Sequence, residues 1–95
     1  MNLKISKEAA KWYKEELDIE DKAQLRFFVR YGGVGGKIPG FSLGLKLDKP
    51  QAIYASTEVD NITFFIEDAD AWYFENSDLE VSLDDKRNEP IMEYV

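Results

Sequence analysis

Arg26, Arg30 and Lys37 are the cations that this sequence sets beside its one unusual stretch, Tyr31 to Leu45, which reads Y-G-G-V-G-G-K-I-P-G-F-S-L-G-L. All six glycines of the chain lie in it, between Gly32 and Gly44. Successive glycines let a backbone turn its N–H groups toward one point, and such a concavity holds an anion when cations stand near it. Arg26 and Arg30 share one face of a period-two run, so anion binding by Arg26, Arg30 and Lys37 is one chemistry that the spacing permits. Pairing of the arginines with some of the chain's many acids is the plainer one.

The established phosphate loops do not fit. A Walker-type loop ending in Gly36-Lys37 needs a glycine where Tyr31 stands and a Ser or Thr where Ile38 stands, and a dinucleotide fingerprint starting at Gly33 fails at Ile38 as well. Both also hand their phosphate to a helix N-terminus, whereas Phe41 to Asp48 alternates like a strand. With no histidine and no cysteine, the chain lacks His-dependent triads, thiol nucleophiles and His/Cys metal sites. Asp60, Glu67, Asp68, Asp70, Asp78, Asp84 and Asp85 offer oxygen ligands for a hard cation, but no glycine follows Gly44 to make a calcium loop, and a solvated acidic face is the expected reading. We therefore expect no enzyme, no catalytic or metal-binding residue and no cofactor.

What remains for the glycine stretch is contact. Gly32, Gly33, Val34, Gly35, Gly36, Lys37, Ile38 and Gly40 form a candidate contact loop in which Val34 and Ile38 sit at a tip with little local core to enter. The competing expectation is a long hairpin connection whose Ile38 folds back onto the end of the domain.

Ninety-five residues, 44% of them hydrophobic and thirteen aromatic, make a single globular domain spanning 1–95. The net charge of −7 is unevenly placed: residues 1–50 carry ten Lys/Arg against seven acids, and residues 51–95 carry Lys86 and Arg87 against twelve acids. An acidic half repels a polyanion, so nucleic acid is not an expected partner, and a protein with a basic surface is. Without cysteine there is no disulfide framework, no signal-like apolar N-terminus opens the chain, and no run approaches the roughly 18 apolar residues of a membrane span. A cytoplasmic protein without a membrane partner is expected.

The elements follow from periodicity. Leu3 and Ile5 suggest a short strand, and Ser6 caps a helix from Lys7 to about Leu17 with Ala9, Ala10, Tyr13 and Leu17 on one stripe. Leu25, Phe27, Val29 and Tyr31 alternate with Arg26, Phe28 and Arg30, and Phe41, Leu43, Leu45 and Leu47 alternate beyond the loop, giving two antiparallel strands with one face buried. Phe28 on the polar face implies partial cover from another element. Ala52–Thr57 and Ile62–Glu67 form a hairpin through a Glu58–Asn61 turn, Asp68 caps a short helix over Ala69–Phe74, and Leu79, Val81 and Leu83 make another strand. Ile91–Val95 is a last edge strand or a loose end. Trp72, Tyr73 and Phe74 cannot all face one core from a helix, so one of them lies at a boundary or in solvent.

Val29-Arg30-Tyr31-Gly32-Gly33 and Gly40-Phe41-Ser42-Leu43-Gly44-Leu45 together resemble the HesB/IscA-like family, the A-type iron–sulfur carriers, whose V-R-x-G-G strand end and G-F-S-x-G-L strand start flank a cysteine-bearing loop. The leading strand, the helix with paired alanines and the Asp60, Ile62, Phe64, Ile66 strand fall in the family order over Leu3 to Val81. The resemblance implies an α+β fold: a HesB-like, folded-over and mostly antiparallel sheet of about seven short strands, a small β-sandwich or pseudo-barrel, with one longer and one short helix. The family holds its cluster or iron with one loop cysteine and a C-terminal C-G-C. Here Val34 takes the first position, the chain ends Pro90-Ile91-Met92-Glu93-Tyr94-Val95, and no cysteine exists to replace the thiolates. The chain thus looks like a cysteine-lacking, HesB/YneR-like branch, for which the resemblance implies a non-enzymatic, iron–sulfur-biogenesis-like role through protein contacts. The alternative expectation is a small-molecule or anion-binding module.

Overall fold

A computed structural model describes residues 1–33 and 36–95. The chain is a small α+β domain with two helices and mostly antiparallel, mixed sheets. Its strands are β1 (Leu3–Ile5), β2 (Ala23–Tyr31), β3 (Phe41–Leu47), β4 (Ile53–Val59), β5 (Ile62–Glu67), β6 (Leu79–Asp84) and β7 (Glu89–Tyr94); α1 spans Lys7–Glu16 and a 3-10 helix spans Asp68–Phe74. The strands divide into a sheet of order β1-β6-β7 and a sheet of order β3-β2-β5-β4. Within them β1–β6 and β2–β5 run parallel, and β2–β3, β4–β5 and β6–β7 run antiparallel.

One apolar core lies between the sheets. Leu3, Ile5, Leu79 and Val81 come from the smaller sheet, Leu25, Phe27, Leu43, Ile62, Phe64 and Ile66 from the larger, and Ala9, Ala10, Tyr13, Tyr73 and Phe74 from the helices. The Ser6 hydroxyl accepts the Ala9 N–H at 3.1 Å, satisfying one of the donors that a helix start leaves open. The paired alanines are small enough to let α1 approach closely, and Tyr13 packs its ring on Phe64 with centroids 6.0 Å apart. Burial of that phenol pushes its pKa up to about 12. Leu17, expected on the buried stripe, is exposed, because the helix ends at Glu16 and Leu17 already serves as its C-cap.

The hairpin of β4 and β5 turns through Asp60 and Asn61 alone, both at positive φ (54° and 66°), which is the geometry of a two-residue type I′ turn. The expected four-residue turn over Glu58–Asn61 is therefore too long. Asp68 begins the 3-10 helix but does not cap it; Glu67 holds the cap position without a side-chain bond. Instead the buried Glu67 carboxylate accepts the N–H groups of Gln51 and Ala52, tying down the approach to β4. The chain end is ordered as edge strand β7, extended by paired backbone bonds between Asp78 and Val95. Pro90 is tolerated there because an edge strand has one side without a ladder.

Candidate functional site

The glycine stretch is the connection between β2 and β3, whose register pairs Tyr31 with Phe41, Arg30 with Ser42, Val29 with Leu43 and Phe28 with Gly44. Its neck is closed by the Gly32 N–H donating to the Gly40 carbonyl at 2.7 Å. Gly32 and Gly40 have φ of 101° and 88°, a region that side-chain-bearing residues avoid. Of the candidate contact loop, Val34 and Gly35 lie outside the described residues. The second half of the loop is seated on the domain. The Lys37 N–H donates to the Tyr73 hydroxyl at 2.7 Å, and a Cβ on Gly36 would run into the Phe41 carbonyl and that same hydroxyl. Ile38 is half-buried against the core.

The three candidate cations are not brought together. The Arg26 guanidinium bonds Asp70 at 2.9 Å and Asp48 at 3.3 Å. Burial works against its charge, but these two carboxylates outweigh that and raise its pKa. Asp48 is in turn held below the usual carboxylate range, first by the Lys49 N–H and then by Arg26. Arg30 donates from Nε to the Ser42 hydroxyl at 3.0 Å and borders a cleft of about 350 Å³ lined also by Gly33, Gly36, Leu43, Met92 and Tyr94. The Lys37 ammonium points elsewhere, 3.8 Å from Glu75. Phe28, on the outer face with the arginines, lies over Gly44, where a Cβ would come within 2.5 Å of the ring, and carries the Lys46 ammonium 4.8 Å above its centre. Among the described residues no three Asp or Glu converge as a metal cage would require.

Aromatic residues that sequence patterning assigned to the core surround the loop instead. Tyr31 and Leu47 were expected on buried rows and are exposed, Tyr31 at 89%. For Tyr31 the cause is register: β5 flanks β2 only from Ala23 to Phe27, after which β5 gives way to the 3-10 helix and the far end of β2 keeps β3 as its sheet neighbour. Leu47 pairs with the buried Leu25 at the other end and is exposed at the end of edge strand β3. Tyr31 stands edge-on to Phe41 with centroids 5.7 Å apart, and Phe41 edge-on to Trp72 at 5.4 Å. Tyr73, buried beneath, reaches the Tyr94 hydroxyl at 3.3 Å. Burial first, and the bond to Tyr73 second, raise the Tyr94 pKa. The signal for this cluster was the run Trp72-Tyr73-Phe74 itself, of which Trp72 proves to be the exposed member.

Fold and surface together define a small α+β domain that presents an aromatic, glycine-rich face, and among its described residues no helix is long and apolar enough to cross a membrane. No family model matches the chain, and no solved structure matches it. The chain is 53% identical, over 99% of its own length and 99% of the relative's, to a Bacillus subtilis protein named pyruvate dehydrogenase inhibitor, and it belongs to that protein's family. Uncharacterized proteins of Staphylococcus saprophyticus and Staphylococcus epidermidis are 36% and 34% identical, with 90% and 96% of each chain covered. This corrects the expectation of an iron–sulfur-biogenesis-like role: a full-length relative carries a name that points to a different function.

Proposed function

We propose that this chain inhibits pyruvate dehydrogenase by binding to it as a folded domain, with no catalytic chemistry of its own, in the cytoplasm. The observation that carries the reading is the 53% identity over 99% of this chain and 99% of the Bacillus subtilis inhibitor. The residue inventory supports it. Without histidine or cysteine, the groups left for chemistry are carboxylates, amines, guanidiniums, phenols and the Ser/Thr hydroxyls; of these Arg26, Asp48, Asp70, Glu67 and the Ser6 hydroxyl are engaged in holding the fold. A HesB-like arrangement of the strands is part of the same proposal; its support is the pair of motif halves flanking the loop and the element order.

Co-elution tests the reading. The purified chain mixed with pyruvate dehydrogenase from the same cells is expected to migrate with the enzyme through size exclusion and to leave pyruvate chemically unchanged when incubated alone. A chain that elutes at its free position under all enzyme concentrations contradicts inhibition by contact.

A further inference from the structure

We infer that Tyr31, Phe41 and Trp72 are the anchor of the inhibitory interface, and that they receive a basic, Arg- or Lys-bearing face of pyruvate dehydrogenase. The inference rests on the proposed function and names the surface through which it acts. Tyr31 is 89% exposed and Trp72 53% exposed, and the half-buried Phe41 joins them edge-on at 5.7 and 5.4 Å, so the three rings form one continuous apolar row. Large aromatic side chains left in water beside one another are the composition of interface anchors rather than of an ordinary surface. Neither the Tyr31 hydroxyl nor the Trp72 indole N–H has a hydrogen-bond partner among the described residues, so each ring keeps a polar end for a partner to satisfy.

The row is also held in place before anything binds. Tyr31 and Phe41 are a directly opposed strand pair locked just beyond by the Gly32–Gly40 backbone bond of 2.7 Å, and Trp72 precedes Tyr73, which is fully buried. A surface that is already ordered loses little conformational freedom on association.

Charge selects the partner. Trp72 lies on a 3-10 helix that begins with the exposed Asp68 and is followed by the exposed Glu75. Tyr31 and Phe41 come from the half of the chain richer in cations, but there Arg26 is engaged by Asp48 and Asp70, and Arg30 donates to Ser42. Asp70 is consumed by Arg26 and Glu75 is approached by Lys37 at 3.8 Å, but Asp68 has no cation within ion-pair distance among the described residues. Arginines or lysines of the partner can therefore pair with Asp68 and lie against the exposed face of Trp72 or of Tyr31.

The test titrates pyruvate dehydrogenase activity with the wild-type chain, a Tyr31→Ser/Trp72→Ser variant and an Asp68→Lys variant at two ionic strengths. The double variant is expected to need about tenfold more protein or greater for half-inhibition while staying folded at the assay temperature, its melting temperature lowered by the lost ring contacts of the half-exposed Trp72. Asp68→Lys is expected to weaken inhibition and to flatten its loss with salt. Should the double variant unfold, Tyr31→Ser alone carries the same expectation. A double variant that inhibits as well as wild type, or an Asp68→Lys variant that inhibits better, overturns this surface or its basic partner while the inhibitor reading stands. A wild-type chain that does not inhibit overturns that reading and the surface with it.

Discussion

The Tyr73 hydroxyl accepts the backbone N–H of Lys37 at 2.7 Å, so a core residue of the 3-10 helix holds the second half of a loop 36 positions away in sequence. The bond is part-buried, and an amide that loses its acceptor there is left without the water it gave up on folding. Tyr73→Phe is therefore expected to lower stability by about 1–3 kcal/mol in urea unfolding and to speed exchange of the Lys37 amide. Unchanged exchange at that amide would show that the loop is held by other contacts.

The loop glycines should not be equivalent. Gly40→Ala meets open space but forces a residue with Cβ into φ of 88°, for a loss of about 1–2 kcal/mol. Gly36→Ala drives its methyl against the Phe41 carbonyl and the Tyr73 hydroxyl, which must separate, and is expected to cost about 1–3 kcal/mol and to loosen the Lys37 bond as well. Thermal unfolding of the two variants, with amide exchange at Lys37, separates the effects: an equal loss with intact protection in both would contradict the clash at Gly36.

Much of this architecture is legible in the sequence where the determinants are local. Glycines flanked by two period-two runs mark β2 and β3, and Ser6 before Ala9, Ala10 and Tyr13 marks α1. The exposed aromatic row is not legible in that way. Tyr31 and Phe41 continue the alternation of their strands, and only the register that ends β5 opposite Phe27 uncovers them. Arg26 pairs with acids, as the plainer reading had it, but Asp48 and Asp70 lie 22 and 44 positions away and no spacing names them. The expected iron–sulfur role fails for a related reason: a glycine motif describes how a backbone turns and leaves open which chemistry, if any, the loop carries.

Ile38 is half-buried, so the choice between a free tip and a docked one is measurable. Ile38→Ser is expected to reduce stability by about 1 kcal/mol, a part of what a fully buried side chain of its size contributes. No change in the urea midpoint would place Ile38 among the contact residues instead.

Alkaline pH should destabilise the fold. Burial raises the pKa of Tyr13 from 10.0 to about 12 and raises that of Tyr94 as well. Between these limits the unfolded chain releases protons that the folded chain retains, so stability is complete below about pH 10 and falls as pH rises toward 12. On the acid side, the depressed pKa of Asp48 gives the opposite sign, with stability present above about pH 4 and lost as that carboxylate protonates. Urea midpoints measured across pH check both, and Tyr13→Phe should remove part of the alkaline loss; a midpoint flat from pH 9 to pH 12 would contradict the buried phenols.

The central claim is inhibition by stoichiometric contact, and the rate of pyruvate oxidation by a fixed amount of pyruvate dehydrogenase, measured against increasing concentrations of this chain, tests it most directly. The account predicts a saturable fall in rate that is restored on dilution or removal of the chain. A rate that stays constant with the chain in large excess would contradict it, and so would a loss that deepens with time and survives the chain's removal.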